Sequence, residues 1–222
     1  MKFLQPYRIS KKLLFNLSIL LFAAFLINAS SFTRSTTKVI TRVKNNEFLL
    51  EYLAVKYPHQ SFENFIYVGI KRQKLDLYLN GNHIISYPVS TSTNGAGTIA
   101  GSDMTPVGLH KIRGKFGSDV PIGGILKGRA YTGEIARIQT TANKTGGDAI
   151  TSRVLTLEGL EKGINKGGEL DSYGRHIYIH GTAEEGLIGK PASHGCVRMK
   201  NKDIIDLFNQ VNKDLTVIIL NN

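Results

Sequence analysis

The amino-acid sequence predicts a mainly β domain over residues 62–222, with long glycine-rich loops and one late α-helix. All 23 glycines lie at or after Gly69, and short apolar runs separated by Gly, Asn and Pro fill this part of the chain. The runs LDLYL and RHIYIH alternate polar and apolar residues, which is the period of a half-buried strand. The late helix would then pack on the resulting sheet.

Local patterns predict two further elements before and inside this domain. Residues 45–58, NNEFLLEYLAVKYP, have helix-forming content, with Asn46 placed to cap the start and Pro58 to end the helix. Asn80-Gly81 separates two strand-like runs, and this dipeptide strongly favours a two-residue β-hairpin turn.

The late helix is predicted at residues 201–211, NKDIIDLFNQV. Its apolar residues recur at the helical spacing and therefore form one face. Asn201 is placed to cap the start of the helix. The residues of the apolar face are Ile204, Leu207, Phe208 and Val211.

Positive charge is concentrated before the folded domain. Residues 1–46 contain eight Lys or Arg and no acidic residue, whereas the formal net charge of the whole chain is +11. The rest of the chain therefore carries an excess of only +3. Nucleic-acid binding requires a basic surface on the folded domain, so the sequence disfavours it.

The N-terminal segment has the pattern of an export signal. Lys2, Arg8, Lys11 and Lys12 precede the apolar run at residues 13–27, and the small residues of NASS follow. A charged region, an apolar region and then small residues characterise such signals. The run is short for a membrane span of about 20 residues, although a longer reading leaves an uncleaved anchor open.

Cys196 is the single cysteine of the chain, so it cannot form an internal disulfide. In an exported protein a lone thiol either bridges to another chain or remains reactive, whereas a buried inert Cys is the usual alternative. The neighbours of Cys196 favour reactivity. It lies in a glycine-rich loop, two residues after His194 and sixteen after His180.

Strand alternation places His180 where it can meet this thiol. In RHIYIH, Ile177 and Ile179 share one face, while His176, Tyr178 and His180 share the other. A thiol near pH 7 is mostly protonated, and a neighbouring histidine takes its proton to create the attacking thiolate. The loop after the strand would return to bring thiol and imidazole together.

Two glycines complete this arrangement. A catalytic base must be oriented by a third group, and the carbonyl of Gly181 is the local candidate. Gly195 lacks a side chain, so a substrate carbonyl can approach backbone N–H groups there and form an oxyanion hole. A zinc site of His180, His194 and Cys196 is the alternative, but no fourth ligand is apparent and two of the three are separated by a single residue.

These residues resemble the signature of the L,D-transpeptidase catalytic domain, the YkuD-type family. The family pattern is a His, a loop, then Ser/Thr-His-Gly-Cys, an apolar residue and Arg or Asn; this chain has IHGT and, after a loop, SHGCVRM. Upstream, TPVG at residues 105–108 is similar to the Thr-Pro-x-Gly turn of the family. The resemblance covers residues 64–222 and implies a mixed β-sheet sandwich or barrel with the late helix after the catalytic loop.

The resemblance implies a role for each motif residue. Cys196 would be the nucleophile and His180 the general base and acid, with the Gly181 carbonyl orienting His180 and the backbone at Gly195 stabilising the oxyanion. Arg198 would bind a substrate carboxylate, since a guanidinium matches carboxylate geometry, the alternative being a surface salt bridge. Further predicted substrate-binding or pocket residues are Ser193, His194, Tyr178, Arg175 and Tyr173. No metal or organic cofactor is implied.

The implied substrate is the tetrapeptide stem of bacterial peptidoglycan. The thiolate would attack the carbonyl of the third residue, D-Ala would leave, and an amine would resolve the thioester. A diamino-acid acceptor would give a 3→3 cross-link, a lysine of an envelope protein would give an anchored protein, and water would give an L,D-carboxypeptidase product. Hydrolysis on the same scaffold and an inactive cell-wall-binding module stay open as alternatives.

The chain is therefore divided into a signal peptide or N-terminal membrane anchor (1–31), a spacer with a short helix (32–63) and a catalytic domain (64–222). The expected location is the periplasm or cell envelope, with membrane contact only through the N-terminal segment and no nucleic-acid partner. Part of the long glycine-rich insert at 114–170 is expected to overlie the cleft as a lid.

Overall fold

The computed structural model describes residues 47–144, residue 146 and residues 149–222. The predicted signal peptide or anchor and residues 32–46 of the predicted spacer lie outside these residues. The chain forms two compact units, residues 1–60 and residues 61–222. No helix in the described part of the chain has the length and apolarity that a membrane crossing requires.

The described residues of the first unit form a helix, α1, over residues 47–56. The N–H of Tyr57 donates to the carbonyl of Leu53 at 2.8 Å and closes the last turn. The helix ends two residues before Pro58, because a proline disfavours helical geometry in the residue before it. The helix predicted from the sequence is thus confirmed over 47–56, and its predicted cap at Asn46 lies outside the described residues.

The second unit is built on one mixed sheet of ten strands. Their bounds are β1 (Phe65–Gly69), β2 (Lys74–Leu79), β3 (Asn82–Pro88), β4 (Gly108–Phe116), β5 (Gly124–Lys127), β6 (Ala130–Ile135), β7 (Ile150–Gly159), β8 (Tyr178–Thr182), β9 (Val197–Met199) and β10 (Thr216–Leu220). The order is β3-β2-β1-β10-β4-β7-β5-β6, and β8 pairs with both β7 and β9. The pairs β1–β10 and β8–β9 are parallel, and the other pairs are antiparallel. The predicted mainly β fold is confirmed.

The turn between β2 and β3 is the predicted hairpin. Asn80 and Gly81 have φ angles of 51° and 72°, and Leu79 pairs with Asn82 across the turn. Two successive residues with positive φ form the tight turn whose twist matches that of the flanking strands. The Asn-Gly prediction is therefore confirmed.

Part of the insert at 114–170 belongs to the sheet. Its residues 150–159 form β7, which lies between β4 and β8 and buries Val154, Leu155 and Leu157 completely. The short apolar run SRVLTL at residues 152–157 is thus a strand, as the mainly β prediction requires, and the lid expected of another part of the insert stays a prediction. The insert also contains the β5–β6 hairpin, whose second strand is exposed along its whole length.

A second helix, α2 (Asn201–Gln210), follows the sheet strand β9 and packs on β7 and β8. Its apolar face is buried as predicted, with Ile204, Leu207 and Phe208 in the core. The predicted capping role of Asn201 is wrong. Lys200 is the N-cap residue and makes no side-chain capping bond. Asn201 lies inside the helix, and its amide contacts Thr151 of β7 and Thr182 at the end of β8 instead.

Strands β8 and β9 separate two apolar clusters. Ile179 and Val197 belong to the main core under α2, whereas Tyr178 and Cys196 lie with Leu126 in a smaller cluster on the opposite face. Burying an aliphatic side chain in this way contributes roughly 1.5–3 kcal/mol, so the strand faces are fixed by the core. Cys196 is thereby held at the surface of the sheet that does not face α2.

Candidate active site

The site is built on the parallel pair of β8 and β9. Ile179 pairs with Val197 and His180 pairs with Arg198. Since side chains alternate along a strand, His180 and Arg198 project from the face opposite to Ile179 and Val197, and Cys196, two residues before Arg198, shares their face. The predicted alternation is confirmed for Tyr178, Ile179 and His180, because Ile179 lies in the main core. It is wrong for His176, which lies in the turn before β8 with φ 57° and is therefore not part of the strand. The structure thus brings Cys196 and His180 to one face of the sheet.

The thiol of Cys196 is partly buried and lies against the backbone that enters β8. The N–H of Tyr178 donates to the sulfur at 3.4 Å, and the thiol donates to the carbonyl of His176 at 3.4 Å. Loss of the thiol proton would break the second bond and strengthen the first, since a thiolate is the better acceptor. The Tyr178 N–H is therefore placed to stabilise the nucleophilic form.

His180 is buried, with 1% of its surface exposed, and its ring is fixed by the neighbouring backbone. Its Nδ1 lies 2.7 Å from the carbonyl oxygen of Gly181. A carbonyl only accepts, so Nδ1 carries the hydrogen and Nε2 of the neutral ring is an acceptor. The hydrogen bond predicted between His180 and Gly181 is present, and it leaves the tautomer that a general base requires.

The loop before Cys196 is closed by Ser193. The Ser193 hydroxyl donates to the carbonyl of Cys196 at 2.7 Å and accepts from the N–H of Gly195 at 3.2 Å. Gly195 has φ 119°, and a Cβ there would lie 3.3 Å from both the Met104 carbonyl oxygen and the Ile177 side chain. Glycine is thus required for the shape of the loop, and the Gly195 N–H is directed at Ser193 in this structure.

A cleft of about 280 Å³ lies beside this loop. The predicted residues His194 and Arg175 both line it, together with Ala100, Gly101, Asp103, Gly168, Gly174 and Ile177. His194 is exposed, and the cleft is bordered by the loop that carries Cys196.

Arg175 organises one wall of the cleft. Its guanidinium donates to the carbonyls of Gly97, Thr98 and Met104 at 3.3, 2.9 and 2.7 Å. Burial lowers the pKa of Arg175, while the negative charge of a Cys196 thiolate opposes that shift. The attraction is mutual, so this cation favours the thiolate.

The structure does not place Arg198 where a substrate carboxylate can reach it. Its side chain is fully buried and forms an ion pair with Glu184 at 2.9 Å and a hydrogen bond to Ser90 at 3.2 Å. Glu184 is also buried, so the pair is internal and the surface salt bridge is excluded as well. The predicted substrate contact is wrong for this structure, because a carboxylate of the protein already occupies the guanidinium. Arg198 instead joins β9 to the segment at Ser90.

Asn201, the first residue of α2, supports the site, and the sequence did not predict this role. Its amide nitrogen donates to the carbonyl of Thr182 at 2.9 Å and to Glu185 at 2.7 Å. Its amide oxygen accepts from the hydroxyls of Thr151 and Ser152 at 2.7 and 2.6 Å. These bonds lock the irregular part of β7 to the end of β8, next to the carbonyl that orients His180. The position of Asn201 at a helix start suggested a cap instead.

Aromatic and cationic side chains border Cys196 on the side of the β5–β6 hairpin. The Tyr178 hydroxyl lies 3.2 Å from Nδ1 of His176, and burial raises the pKa of Tyr178 while the charge of Arg129 lowers it. The Tyr173 hydroxyl accepts from Arg129 at 3.1 Å, and the Arg113 guanidinium lies 3.8 Å from the centroid of the Tyr173 ring. Both predicted tyrosines thus lie in one cluster with arginines that the sequence did not single out.

Comparison with known proteins identifies the family of the chain. The family model of the L,D-transpeptidase catalytic domain, YkuD, matches residues 63–219. The chain belongs to this family. The match begins just before β1 and ends within β10, so the L,D-transpeptidase domain coincides with the mixed sheet and its late helix.

Relatives of this L,D-transpeptidase domain occur among curated and solved proteins. Two Bacillus proteins named as YkuD-type L,D-transpeptidases, from B. subtilis and B. licheniformis, are 46% and 42% identical over 48 residues, which is 19% of this chain and 29% of each relative. An L,D-transpeptidase from Mycobacterium smegmatis is 13% identical, with TM-score 0.44 and coverage of 71% of this chain and 58% of the other. L,D-transpeptidase 3 from Mycobacterium tuberculosis, solved with a faropenem-derived adduct, is 14% identical, with TM-score 0.44 and coverages of 71% and 60%. The chain thus spans less than a third of the two curated relatives.

Proposed function

We propose that this protein is an exported cysteine L,D-transpeptidase that acts on the tetrapeptide stems of peptidoglycan. The observation that carries the proposal is the placement of Cys196 on the same sheet face as His180, whose Nδ1 is bonded to the Gly181 carbonyl. Membership of the L,D-transpeptidase family, whose members act on peptidoglycan stem peptides, supports the substrate class.

The first half of the reaction makes an acyl-enzyme. His180 Nε2 takes the proton of the Cys196 thiol, and the sulfur attacks the carbonyl carbon of the third stem residue. The C–N bond to D-Ala then breaks as the imidazolium returns its proton to the leaving amine. A thioester and free D-Ala result. The Gly181 carbonyl holds the ring in one tautomer throughout, which is the role of the third group in a catalytic triad.

Backbone N–H groups next to Cys196 would stabilise the tetrahedral oxyanion. Gly195 permits close approach because it carries no side chain, and its N–H would turn from the Ser193 hydroxyl, 3.2 Å away, toward the oxyanion. One such donor contributes about 3–4 kcal/mol to transition-state stabilisation. Ser193 and His194 would shape the loop and contact the peptide, and Tyr178 would border the bound stem.

The second half of the reaction resolves the thioester. An acceptor amine loses a proton to His180 and attacks the thioester carbonyl, and the thiolate of Cys196 leaves and regains the proton. A second diamino acid gives a 3→3 cross-link, and a lysine of an envelope protein gives an anchored protein. Water in place of the amine gives L,D-carboxypeptidase activity. Export through the N-terminal basic and apolar segment would bring the enzyme to this substrate in the periplasm or cell envelope.

The test uses purified protein, its Cys196→Ala variant and a disaccharide-tetrapeptide, with products identified by mass spectrometry. We expect dimers joined through third residues in the wild type and none in the variant. His59→Gln, a substitution of an exposed histidine in the first unit, is the matched control and should retain activity. Cys196-dependent tripeptide alone would establish the carboxypeptidase. Peptide binding without any turnover would establish the inactive cell-wall-binding module and refute the enzyme.

A further inference from the structure

The tip of the β5–β6 hairpin carries an arginine in an unfavourable backbone conformation. Lys127 pairs with Ala130, so Gly128 and Arg129 form a two-residue turn, with φ angles of 57° and 70°. Turns of this kind favour Gly or Asn at both positions, because a longer side chain is strained when φ is positive. Strain that a glycine would remove often marks a functional position.

The hairpin brings Arg129 to the Cys196 side of the sheet. Leu126, three residues before Arg129, packs in the apolar cluster that contains Tyr178 and adjoins Cys196. From there, Arg129 reaches the hydroxyl of Tyr173 at 3.1 Å. The electrostatic effect of Arg129 on the pKa of Tyr178 agrees with this placement, and the N–H of Tyr178 contacts the Cys196 sulfur.

Most N–H donors of the Arg129 guanidinium are not used by a side chain of the described residues. Within residues 47–144, 146 and 149–222, no carboxylate lies within 4.0 Å of it, in contrast to Arg198, which is paired with Glu184. Its one hydrogen bond to a side chain, to Tyr173, uses one of five N–H groups. Tyr173 is itself held by the stacked guanidinium of Arg113 at 3.8 Å. The result is a positioned, partly exposed cation next to Tyr173 and Tyr178, the second of which contacts the Cys196 sulfur through its N–H.

We propose that Arg129, positioned by Tyr173 and close to Tyr178, binds a carboxylate of the donor stem peptide. The inference rests on the proposed function, and it assigns to Arg129 the role that the motif suggested for the buried Arg198. A donor cleaved before its last residue carries a terminal carboxylate one residue beyond the scissile carbonyl. A diamino acid at the third position can carry a second carboxylate on its side chain. A guanidinium binds either group through paired hydrogen bonds.

Binding is measured in the Cys196→Ala background, so that no turnover is needed. Isothermal titration calorimetry gives the Kd of a tetrapeptide with both carboxylates free, of its C-terminal amide and of the form amidated on the third residue. We expect Arg129→Gln to weaken binding of the free acid by about tenfold to hundredfold, the range typical of a lost charged hydrogen bond. Lys127→Gln removes the same charge from the same hairpin at an exposed position and should change Kd less than twofold.

The amidated peptides identify which carboxylate is bound. If Arg129→Gln leaves the Kd of the C-terminal amide unchanged, the terminal carboxylate is the partner of Arg129. If it leaves the Kd of the peptide amidated on the third residue unchanged, the partner is the side-chain carboxylate of the diamino acid. Arg129→Gly should give the same weakening with an unchanged or higher Tm, because it relieves the turn. An equal loss of affinity for all three peptides would indicate a structural role and overturn the proposal. Equal affinities of Arg129→Gln and of the Cys196→Ala parent protein would also overturn it, as would the absence of binding to that parent. Absence of turnover in the wild type with Arg129-dependent binding would refute only the enzymatic function.

Discussion

His110 makes the stability of the domain depend on pH in a defined window. The residue lies in β4 with none of its surface exposed, and its ring contacts the Gly108 carbonyl at 3.0 Å and the Ser172 hydroxyl at 2.9 Å. Nδ1 donates to the carbonyl, and in the neutral ring Nε2 accepts from the Ser172 hydroxyl. Burial, aided by the charge of Arg175, lowers the pKa of His110 from 6.5 to about 4, although the bond to Gly108 opposes the shift.

The size of the effect follows from this difference in proton affinity. A histidine that binds its proton more weakly in the folded state stabilises the fold above the unfolded pKa of 6.5, and that stabilisation is lost as the pH falls toward 4. Each tenfold difference in affinity corresponds to about 1.36 kcal/mol, so the total is roughly 3 kcal/mol, with about 2 kcal/mol lost by pH 5.

Urea unfolding of the wild type and His110→Gln at pH 8 and pH 5 measures this contribution. The variant should be less stable at pH 8, because it loses buried contacts. Its free energy of unfolding should nevertheless fall by about 2 kcal/mol less than that of the wild type between the two pH values. His59→Gln, at an exposed histidine, should follow the wild type. Equal falls in the wild type and His110→Gln would refute the argument that a buried neutral His110 controls this window.

Two further predictions concern the support of the site. Arg198→Met should lower the free energy of unfolding by about 3–5 kcal/mol in a denaturant titration, because Glu184 is left buried without its partner. Adding Glu184→Gln should restore most of this lost stability. An undiminished loss in the double variant would contradict the prediction. Gly195→Ala should cost about 1–3 kcal/mol in stability and abolish transpeptidation, because a φ of 119° strains an alanine and the loop must shift. A variant with wild-type turnover would show that this loop geometry is not required.

Local sequence patterns were sufficient to predict several elements of the fold and the candidate catalytic residues. The Asn80-Gly81 turn and the apolar face of α2 depend on residues a few positions apart, so their periodicity is visible in the sequence. The placement of Cys196 and His180 on one face of the sheet could be predicted because a strand pattern fixes the face of His180 and a short motif contains the thiol. The strand β7 contains one of the short apolar runs that predict the mainly β fold, although its position between β4 and β8 depends on pairing that the sequence does not show.

Other features of the site depend on residues far apart in the chain. Arg198 meets Ser90 across 108 positions, and its burial there changes a predicted substrate ligand into a structural residue. Asn201 meets Thr151 across 50 positions, and a helix-start pattern cannot distinguish this use of an amide from capping.

The sequence by itself determined the mainly β class, the hairpin turn, the late helix and the identity of the thiol, the imidazole and its orienting carbonyl. Only the tertiary structure decided which cation is accessible: Arg198 is buried and paired with Glu184, whereas Arg129 lies partly exposed at the tip of a hairpin, next to Tyr173. The reason is physical. Backbone periodicity and turn preferences act over a few residues, whereas the availability of a charge depends on burial and on partners that the fold brings together from distant positions.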